Sequence, residues 1–300
     1  MRTTEYSWYR PDFYEYNVAQ EAVVPFCDQD NNMIVCFGTA VGKTVLAECC
    51  FGFHIAHSGR VVYISPYRSL CMEKYEKWSD DIHFKDAGVA IQTGDQRSNN
   101  RRLLGASLTI MTTESFDSRT RTGGVWKDWL KDLDCVVFDE AHMIGDPARG
   151  AAMESAMMRF TELNKDCRMI LLSATMDNAL DVARWTKSLN GKPTKCFQSD
   201  WRPNEVDIVE FPESGWKGII DRAVERATHK GGKTIIFVHS KQVGTTLVKT
   251  LKKKRIKTAF HNASVRKGLR SKIEKAFDDP HSGLDILVST STLGAGVNIG

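Results

Sequence analysis

Phe37-Gly-Thr-Ala-Val-Gly-Lys-Thr44 and Val136-Val-Phe-Asp-Glu-Ala-His142 are the two stretches that decide the fold, and each lies at the end of an apolar, β-branched run. The first contains the Gly-Lys-Thr core of a phosphate-binding loop, in which backbone N–H groups surround phosphates, the lysine meets the β/γ oxygens and the threonine reaches Mg²⁺. The second supplies an acidic pair, which can hold Mg²⁺ and activate a water molecule. Together they predict a site that hydrolyses ATP.

The first stretch departs from the G-x-x-x-x-G-K-[ST] pattern, because Phe37 occupies the first glycine position and Gly38 follows it. A Gly-Lys-Thr string can also occur by chance in a surface turn. The ATP interpretation is favoured because the string follows an apolar strand and precedes an amphipathic helix, predicted from Thr44 to His57.

Composition and charge are those of an ordinary globular protein with room for two packed domains: 42% of the 300 residues are hydrophobic and 26% are charged. The net charge of +4 permits nucleic-acid binding without requiring it. The sequence shows neither an N-terminal apolar segment nor a run of the roughly 18 apolar residues that a membrane span needs. We therefore expect a soluble protein with no membrane partner, cytoplasmic or, in a eukaryote, nuclear. The eight cysteines form no C-x-x-C pair, which favours reduced, buried thiols.

Short apolar runs alternate with amphipathic segments along the chain, which predicts an α/β fold with mostly parallel sheets. The periodicity weakens from Phe197 to Trp216, which indicates a linker. A second series follows, with a strand at Lys233–His239, a helix at Val243–Arg255 and a strand at Leu284–Ser289. We expect a first domain at 1–198, a linker at 199–216 and a second domain at 217–300. The strands predicted in the first domain are Met33–Phe37, Val61–Ile64, Ser107–Met111, Cys135–Asp139 and Met169–Leu172.

Three strings occur in order at the ends of successive apolar runs: Gly42-Lys43-Thr44, Asp139-Glu140-Ala141-His142 and Ser173-Ala174-Thr175. In this order they resemble motifs I, II and III of superfamily 2 helicases. Taken alone, the second could be a solvated acidic turn and the third a strand cap. Their common order favours the helicase interpretation.

Further strings extend the resemblance over most of the chain. They match the Q-motif region, motif Ia, two later nucleic-acid motifs, and motifs IV and V, in that order. They are Tyr16–Gln20, Ser65–Leu70, Thr93–Asp95, Thr112–Glu114, Phe237–Ser240 and Ser289–Asn298. Within the superfamily, Ala40–Glu48, Ser199–Pro203 and Ala259–Ala263 most resemble the archaeal fork-repair DNA helicases of the Ski-like branch.

The resemblance implies two RecA-like P-loop NTPase domains, the second incomplete in this sequence, with ATP between them and single-stranded nucleic acid across both. Lys43 would neutralise the β/γ phosphates, Thr44 and Asp139 would hold Mg²⁺, and Glu140 would activate water. Ser173 and Thr175 would link hydrolysis to domain movement. His142 would take part, unless it makes only a structural hydrogen bond. The other implied nucleotide-binding residues are Gln20, which would recognise adenine, Thr39 and Gly42 in the loop, and Gly296 and Asn298 in the second domain.

Nucleic-acid contacts are also implied by the resemblance. Arg68, Thr113 and Thr290 match positions that contact the strand backbone, and Thr93 and Gly94 could offer main-chain N–H groups. Each could equally be an ordinary loop residue. The basic run from Lys249 to Lys257 is interpreted differently, as a solvated helix end favoured by the helix dipole.

The sequence stops at Gly300, after the motif V-like segment, whereas the family continues into motif VI, whose arginines stabilise charge on the γ-phosphoryl group. We expect a fragment, or half of a split enzyme, that binds ATP with Mg²⁺ but hydrolyses it weakly, with further domains or a second subunit supplying motif VI. The expected function is that of an ATP-dependent helicase or translocase, moving 3′ to 5′ on single-stranded or forked DNA in DNA repair. The alternatives are an RNA helicase of the same branch and an ATP-gated nucleic-acid-binding scaffold that does not unwind.

Overall fold

The structure is a computed structural model that describes residues 15–147, 149–174, 176–205, 218, 220–225 and 233–290. The chain divides into two compact units, Met1–Glu205 and Val206–Gly300. Each unit contains a parallel β-sheet with helices, which confirms the predicted α/β class. None of the described helices is long and apolar enough to cross a membrane.

The sheet of the first unit has seven strands, and every neighbouring pair is parallel. The strands are β1 (Asn32–Phe37), β2 (Val61–Ser65), β3 (Val89–Gln92), β4 (Leu108–Thr112), β5 (Cys135–Phe138), β6 (Arg168–Ser173) and β7 (Thr194–Ser199). Their order across the sheet is β3-β4-β2-β5-β6-β1-β7.

Helices connect these strands, as crossovers between parallel strands require. They are α1 (Val18–Glu21), α2 (Lys43–Ala56), α3 (Arg68–Asp80), α4 (Asn100–Gly105), α5 (Thr113–Thr120), α6 (Val125–Lys131), α7 (Gly150–Leu163) and α8 (Ala179–Asn190). Short 3₁₀ turns lie at Val24–Phe26, Lys85–Ala87 and Ala141–Gly145.

The core covers both faces of this sheet. Strand β1 shows the alternation, because Met33, Val35 and Phe37 belong to one hydrophobic cluster whereas Ile34 and Cys36 belong to another. Every residue of β1, β2, β4, β5 and β6 is buried. Continuous apolar runs of this kind are typical of parallel strands that are covered on both faces.

The five strands predicted for this unit and the helix after the P-loop are confirmed to within one residue at each end. The stretch of weakened periodicity begins inside a strand, because Phe197 to Ser199 are the last residues of β7, which pairs with β1. Strand β7 is partly exposed along its length, so its hydrophobic signal is weak. Strand β3 was not predicted. The expected domain boundaries remain a prediction.

The second unit contains β8 (Thr234–Phe237), α9 (Lys241–Lys253), β9 (Thr258–His261), α10 (Lys267–Asp278) and β10 (Ile286–Ser289). Its parallel sheet has the order β8-β10-β9. Leu247 and Leu251 of α9 belong to the same buried cluster as Ile236, Ile286 and Val288. The predicted helix and two predicted strands are confirmed to within two residues at each end.

Candidate nucleotide and nucleic-acid site

The candidate residues of the first unit lie where parallel strands end, at one edge of the sheet. The strand order divides this edge into two parts. We call the carboxyl ends of β5, β6 and β1 the P-loop half, and those of β3, β4 and β2 the Arg68 half. Ligands of open α/β sheets bind at this edge.

The P-loop starts at the end of β1. Phe37, the unexpected residue in the motif, is the last residue of the strand and is 1% exposed, so it serves the core. The chain then turns through Ala40 and Gly42, whose φ angles are +63° and +88°. Gly42 precedes α2, and a Cβ atom there would lie 2.3 Å from Gln20 Nε2. Position 42 therefore requires glycine for both conformation and space.

Lys43 is held inside this loop. Its Nζ donates to Phe37 O at 2.9 Å and to Gly38 O at 3.0 Å. Burial lowers the pKa of Lys43, whereas the nearby carboxylates of Glu140 and Asp139 raise it. The ammonium group, the loop carbonyls and the acidic pair therefore lie together. Thr44 is half-buried beside it in the first turn of α2, and Thr39 is exposed on the loop.

The segment that resembles the Q motif, Tyr16–Gln20, is hydrogen-bonded to the backbone of the P-loop. Gln20 and Asn17 form a reciprocal capping box at the start of α1. Gln20 Nε2 also donates to Gly42 O at 3.3 Å, and Asn17 Nδ2 donates to Val41 O at 3.0 Å. The Gln20 amide is thus bonded to the loop backbone, and its expected recognition of adenine remains a prediction.

Arg168, which the sequence did not single out, anchors the stretch of chain between α1 and β1. Its side chain is fully buried at the start of β6. The guanidinium donates to Asn31 O at 2.7 Å, Cys27 O at 2.6 Å and Phe26 O at 2.7 Å. A buried cation that satisfies three backbone carbonyls fixes their positions, since leaving them unpaired would be costly.

Asp139 follows β5, and a second unpredicted residue holds it. Tyr63 of β2 donates its hydroxyl to Asp139 Oδ2 at 2.5 Å, and Glu140 N donates to Asp139 Oδ1 at 2.9 Å. Burial raises the pKa of Asp139, and the two hydrogen bonds oppose that rise. Tyr63 is completely buried. Its only sequence signal is a hydroxyl group within an otherwise apolar strand.

Glu140, His142 and Ser173 form a short chain of polar contacts. His142 Nδ1 lies 3.4 Å from Glu140 Oε2 and 3.5 Å from Ser173 Oγ. Burial, and then the charge of Asp139, raise the pKa of Glu140. Glu140 also adopts a left-handed backbone conformation with φ of +53°. Motifs II and III are therefore adjacent through His142, while Thr175 lies outside the described residues.

Three predicted nucleic-acid residues meet in the Arg68 half. Arg68 Nη1 lies 2.7 Å from Asp95 Oδ1, and a Cβ atom at Gly94 would lie 2.7 Å from Arg68 Nη2. Thr93 Oγ1 accepts a hydrogen bond from Gln96 N at 3.0 Å, which closes the turn that contains Gly94 and Asp95. The Arg68 and Asp95 side chains are 60% and 73% exposed.

The remaining candidates are placed differently. Thr113 begins α5, and its hydroxyl is buried without a hydrogen-bond partner in the described part of the chain. Thr290 follows β10 in the second unit, where its N–H donates to His261 O at 3.2 Å. Gly296 and Asn298 lie outside the described residues.

Comparisons with known proteins identify the family of the chain. Residues 17–182 match the DEAD/DEAH box helicase family, and residues 218–300 match the helicase conserved C-terminal domain. The chain is 26% identical to the ATP-dependent DNA helicase Hel308 of Methanocella arvoryzae, over 89% of this chain and 42% of that protein. It is 29% identical to Hel308 of Thermoplasma volcanium, over 96% of this chain and 46% of that protein. The chain spans less than half the length of these relatives.

Two solved structures share the fold. Mycobacterium smegmatis helicase Lhr, bound to ssDNA and AMP-PNP, superposes with a TM-score of 0.70 at 22% identity, over 98% of this chain and 42% of that chain. S. cerevisiae Dbp5, bound to RNA and ADP BeF3, gives a TM-score of 0.68 at 18% identity, over 96% of this chain and 73% of that chain. These two structures confirm the RecA-like fold, and the two family matches confirm the superfamily 2 resemblance. The first family match covers residues 17–182, which is more than half of the chain, so the chain belongs to the DEAD/DEAH box helicase family.

Proposed function

We propose that this chain is the ATP-driven motor of a helicase or translocase that moves 3′ to 5′ along single-stranded DNA and separates the strands of forked DNA. The observation that carries the proposal is the division of one sheet edge into a P-loop half and an exposed cationic half. The likeness to Hel308 supports DNA as the substrate. Such an activity would place the protein in the cytoplasm or in a nucleus, and DNA repair is a suitable role.

ATP fits the residues of the P-loop half. Lys43 Nζ now rests on the carbonyls of Phe37 and Gly38, so it is a cation already positioned at the loop and available to phosphate oxygens. Thr39, Gly42 and the N-terminus of α2 would supply further contacts, since a helix N-terminus offers free N–H groups to anions. Gln20 would hold the loop in shape whether or not it also recognises adenine.

Mg²⁺ fits a hydroxyl and a carboxylate, because it prefers oxygen ligands and is usually held by one or two carboxylates together with substrate phosphates. Thr44 would supply the hydroxyl and Asp139 the carboxylate, which Tyr63 orients through its 2.5 Å hydrogen bond. When bound, the ion would neutralise charge on the phosphates. Asp139 would stay ionised beside it.

Glu140 would orient and deprotonate the attacking water. Its carboxylate is half-buried, and burial raises its pKa, which makes it a stronger base than an exposed glutamate. His142 lies between Glu140 and Ser173, so it would transmit the state of the hydrolysis site to motif III. Gly296 and Asn298 of the second unit would complete the nucleotide site, and Thr175 would act with Ser173.

The test combines the chain with the segment or subunit that supplies motif VI, and compares ATP hydrolysis with single-stranded DNA, with single-stranded RNA and without nucleic acid. Strand displacement is then measured on duplexes with a 3′ or a 5′ single-stranded tail. Stimulation by DNA and displacement from a 3′ tail are expected. Stimulation by RNA alone would favour an RNA helicase, and binding without turnover would favour an ATP-gated scaffold. If Lys43→Ala leaves turnover unchanged, the motor proposal is wrong.

A further inference from the structure

A basic cavity lies in the second unit, at the end of α9. The run from Lys249 to Lys257 carries six cationic residues and no acidic residue. The expected solvated helix end is confirmed, because the basic residues are exposed where α9 ends, and an open cavity of about 440 Å³ lies beside them. Its lining residues are Lys252, Arg255, Ile256, Lys257, Thr258 and Leu284. Half of these residues are cations, so the cavity is suited to an anion.

The cavity lies at the edge of the sheet opposite to the helicase motifs. Thr258 is the first residue of β9, and Leu284 lies just before β10, so the cavity adjoins the amino ends of these strands. Ser240 and Thr290, which belong to the motif IV-like and V-like strings, follow the carboxyl ends of β8 and β10. The cavity is therefore separate from the motif-bearing edge of the second unit.

Arg255 occupies a backbone position that normally favours glycine. It directly follows Lys254, the residue that caps α9, and its φ angle is +61°. Glycine is the usual residue in this left-handed position after a helix, because it has no Cβ atom. The Arg255 side chain is exposed and forms no hydrogen bond or ion pair within the described part of the chain. An unpaired cation thus stands where backbone conformation alone would favour glycine.

Lys257 is positioned by a glycine on the neighbouring loop. Its Nζ donates to Ser282 O at 3.4 Å, and a Cβ atom at Gly283 would lie 3.1 Å from Nζ and 3.4 Å from Cδ. Thr258 adds a polar group to the lining of the cavity. This residue is 8% exposed, and its Oγ1 has no hydrogen-bond partner among the described residues. The cavity therefore combines placed cations with a buried hydroxyl group that lacks a partner.

Other nearby cations are already neutralised, which distinguishes them from those of the cavity. Lys254 Nζ lies 2.7 Å from Asp221 Oδ1. Lys233 Nζ donates to Leu284 O at 2.8 Å and lies 3.8 Å from Asp285 Oδ1. Lys252 has no such partner among the described residues. Positive charge therefore remains at the cavity.

A row of lysines leads along α9 to this cavity. Lys249, Lys252 and Lys253 are exposed and are spaced three and four residues apart, so they share one face of the helix. Neighbours at this spacing lie about 5–6 Å apart, which is comparable with the separation of phosphates along a strand. A single small anion would need only the cavity, whereas a row of cations matches a chain of phosphates.

We propose that the basic cavity and the lysine row form a second track for the phosphate backbone of nucleic acid, at the edge opposite to the motifs. The proposal rests on the nucleic-acid binding in the proposed function and adds a contact surface to it. Contacts would be to phosphates rather than bases, so the track would accept any sequence.

The first test measures binding of a fluorescent single-stranded DNA oligonucleotide to the full chain at several salt concentrations. The Lys252→Ala/Lys257→Ala variant is compared with Lys272→Ala/Lys275→Ala, which removes the same charge from exposed positions on α10. Each lost phosphate contact lowers the salt slope by about 0.7, so we expect a decrease of about 1.4. The factor by which the variant loses affinity should therefore be roughly seven times larger at 50 mM salt than at 200 mM salt. The control should lose less than half as much.

The second test uses Arg255→Gly. This variant should bind the oligonucleotide more weakly and yet melt at a higher temperature, because glycine relieves the left-handed backbone position. A substitution that merely damaged the fold would lower both quantities. Unchanged affinity, or weaker binding together with a lower melting temperature, would contradict the assignment.

Several outcomes overturn the proposal. If wild-type protein binds DNA and hydrolyses ATP in its presence while the cavity variants bind as the control does, the second track is absent and the proposed function stands. If wild-type protein does not bind single-stranded nucleic acid, both proposals are wrong. A poly-glutamate peptide is tested in the same way. If the cavity variants lose as much affinity for this peptide as for the oligonucleotide, the surface recognises acidic protein instead.

Discussion

The two halves of one sheet edge are built in opposite ways. In the P-loop half, Asp139 is 8% exposed, Gln20 is 4% exposed and Ser173 is fully buried. In the Arg68 half, the Arg68 and Asp95 side chains are more than half exposed. A small, highly charged ligand is best bound by enclosed groups that are already oriented, because a low-dielectric site strengthens each contact. A polymer of any sequence needs accessible charge instead.

Backbone strain follows the same division. In the P-loop half, Ala40 and Glu140 are non-glycine residues with left-handed φ angles. Such conformations persist where the surrounding structure enforces them, and they are concentrated at functional sites. In the Arg68 half, the ion pair between Arg68 and Asp95 is formed by two exposed side chains. We therefore expect the P-loop half to respond strongly to single changes and the Arg68 half to respond weakly.

The largest effect is expected from Lys43→Ala. This change removes the cation that the loop carbonyls hold, and ATP turnover should fall on the order of 10²- to 10³-fold. Binding of single-stranded DNA without nucleotide should stay within about twofold, because the Arg68 half is untouched. Steady-state ATPase assays and fluorescence anisotropy measure the two quantities. Lys127→Ala, on the exposed side of α6, is the matched control. Parallel loss of both activities would show that the halves are not independent.

An acid-sensitive group lies in the last turn of α2, the helix that begins at the P-loop. Burial, together with the Arg168 charge, lowers the pKa of His54 to about 4, although Asp134 and Asp30 oppose this shift. Below about pH 6.5 the unfolded chain binds a proton that the folded chain rejects, so the free energy of unfolding decreases as pH falls towards 4. The loss from this group reaches about 3 kcal/mol. In urea denaturation series, the free energy of unfolding of His54→Gln should fall less between pH 6.5 and pH 4 than that of the wild-type protein. Equal profiles would refute this assignment.

Tyr63→Phe tests the support of Asp139. It deletes the hydroxyl that donates to Oδ2 and leaves the ring in place. Removing such an outer contact to a metal ligand typically costs about 10- to 100-fold in affinity or activity. We expect the Mg²⁺ concentration that gives half-maximal ATPase to rise by that factor. Tyr75→Phe, a half-buried tyrosine on α3, is the control. An unchanged Mg²⁺ requirement would mean that the Tyr63 hydroxyl does not support Asp139 as a ligand of the ion.

Ala40→Gly tests the strain in the loop. Glycine accepts the left-handed conformation without steric cost, so the free energy of unfolding should rise by roughly 0.5 to 1 kcal/mol. Ala47→Gly, in the middle of α2, should have the opposite sign, because glycine weakens helices by about 1 kcal/mol. Thermal melts of both variants provide the measurement. A loss of stability in Ala40→Gly would show that the loop does not hold this conformation in solution.

The smallest effect is expected at the ion pair of the Arg68 half. Exposed pairs of this kind contribute about 0 to 1 kcal/mol, so Asp95→Asn should barely alter stability. It should instead strengthen DNA binding by about two- to fivefold, because phosphates no longer compete with Asp95 for Arg68. Arg68→Ala should weaken binding and lower its salt dependence. If Asp95→Asn weakens DNA binding, the carboxylate itself has a positive role.

Most of the secondary structure was predictable because its signals are local. Strands β1, β2, β5 and β6 are continuous apolar runs, and the helix after the P-loop starts directly after Gly42. Strand β7 was not predicted, and its last residues fall in the stretch of weakened periodicity, because an edge strand lacks that apolar signal. The basic run at the end of α9 is exposed as predicted, but nothing local reveals that Leu284, from a distant part of the sequence, lines an open cavity beside it.

The sequence by itself determined the family, the α/β class and the motif residues, because each rests on a short string or a local periodicity. Only the tertiary structure decided what holds those residues. Tyr63 and Asp139 are 76 positions apart, and Arg68 and Asp95 are 27 apart. Arg168 meets Phe26 across 142 positions. These contacts depend on the order in which parallel strands pair, and strand pairing is set by burial across the whole sheet rather than by neighbouring residues.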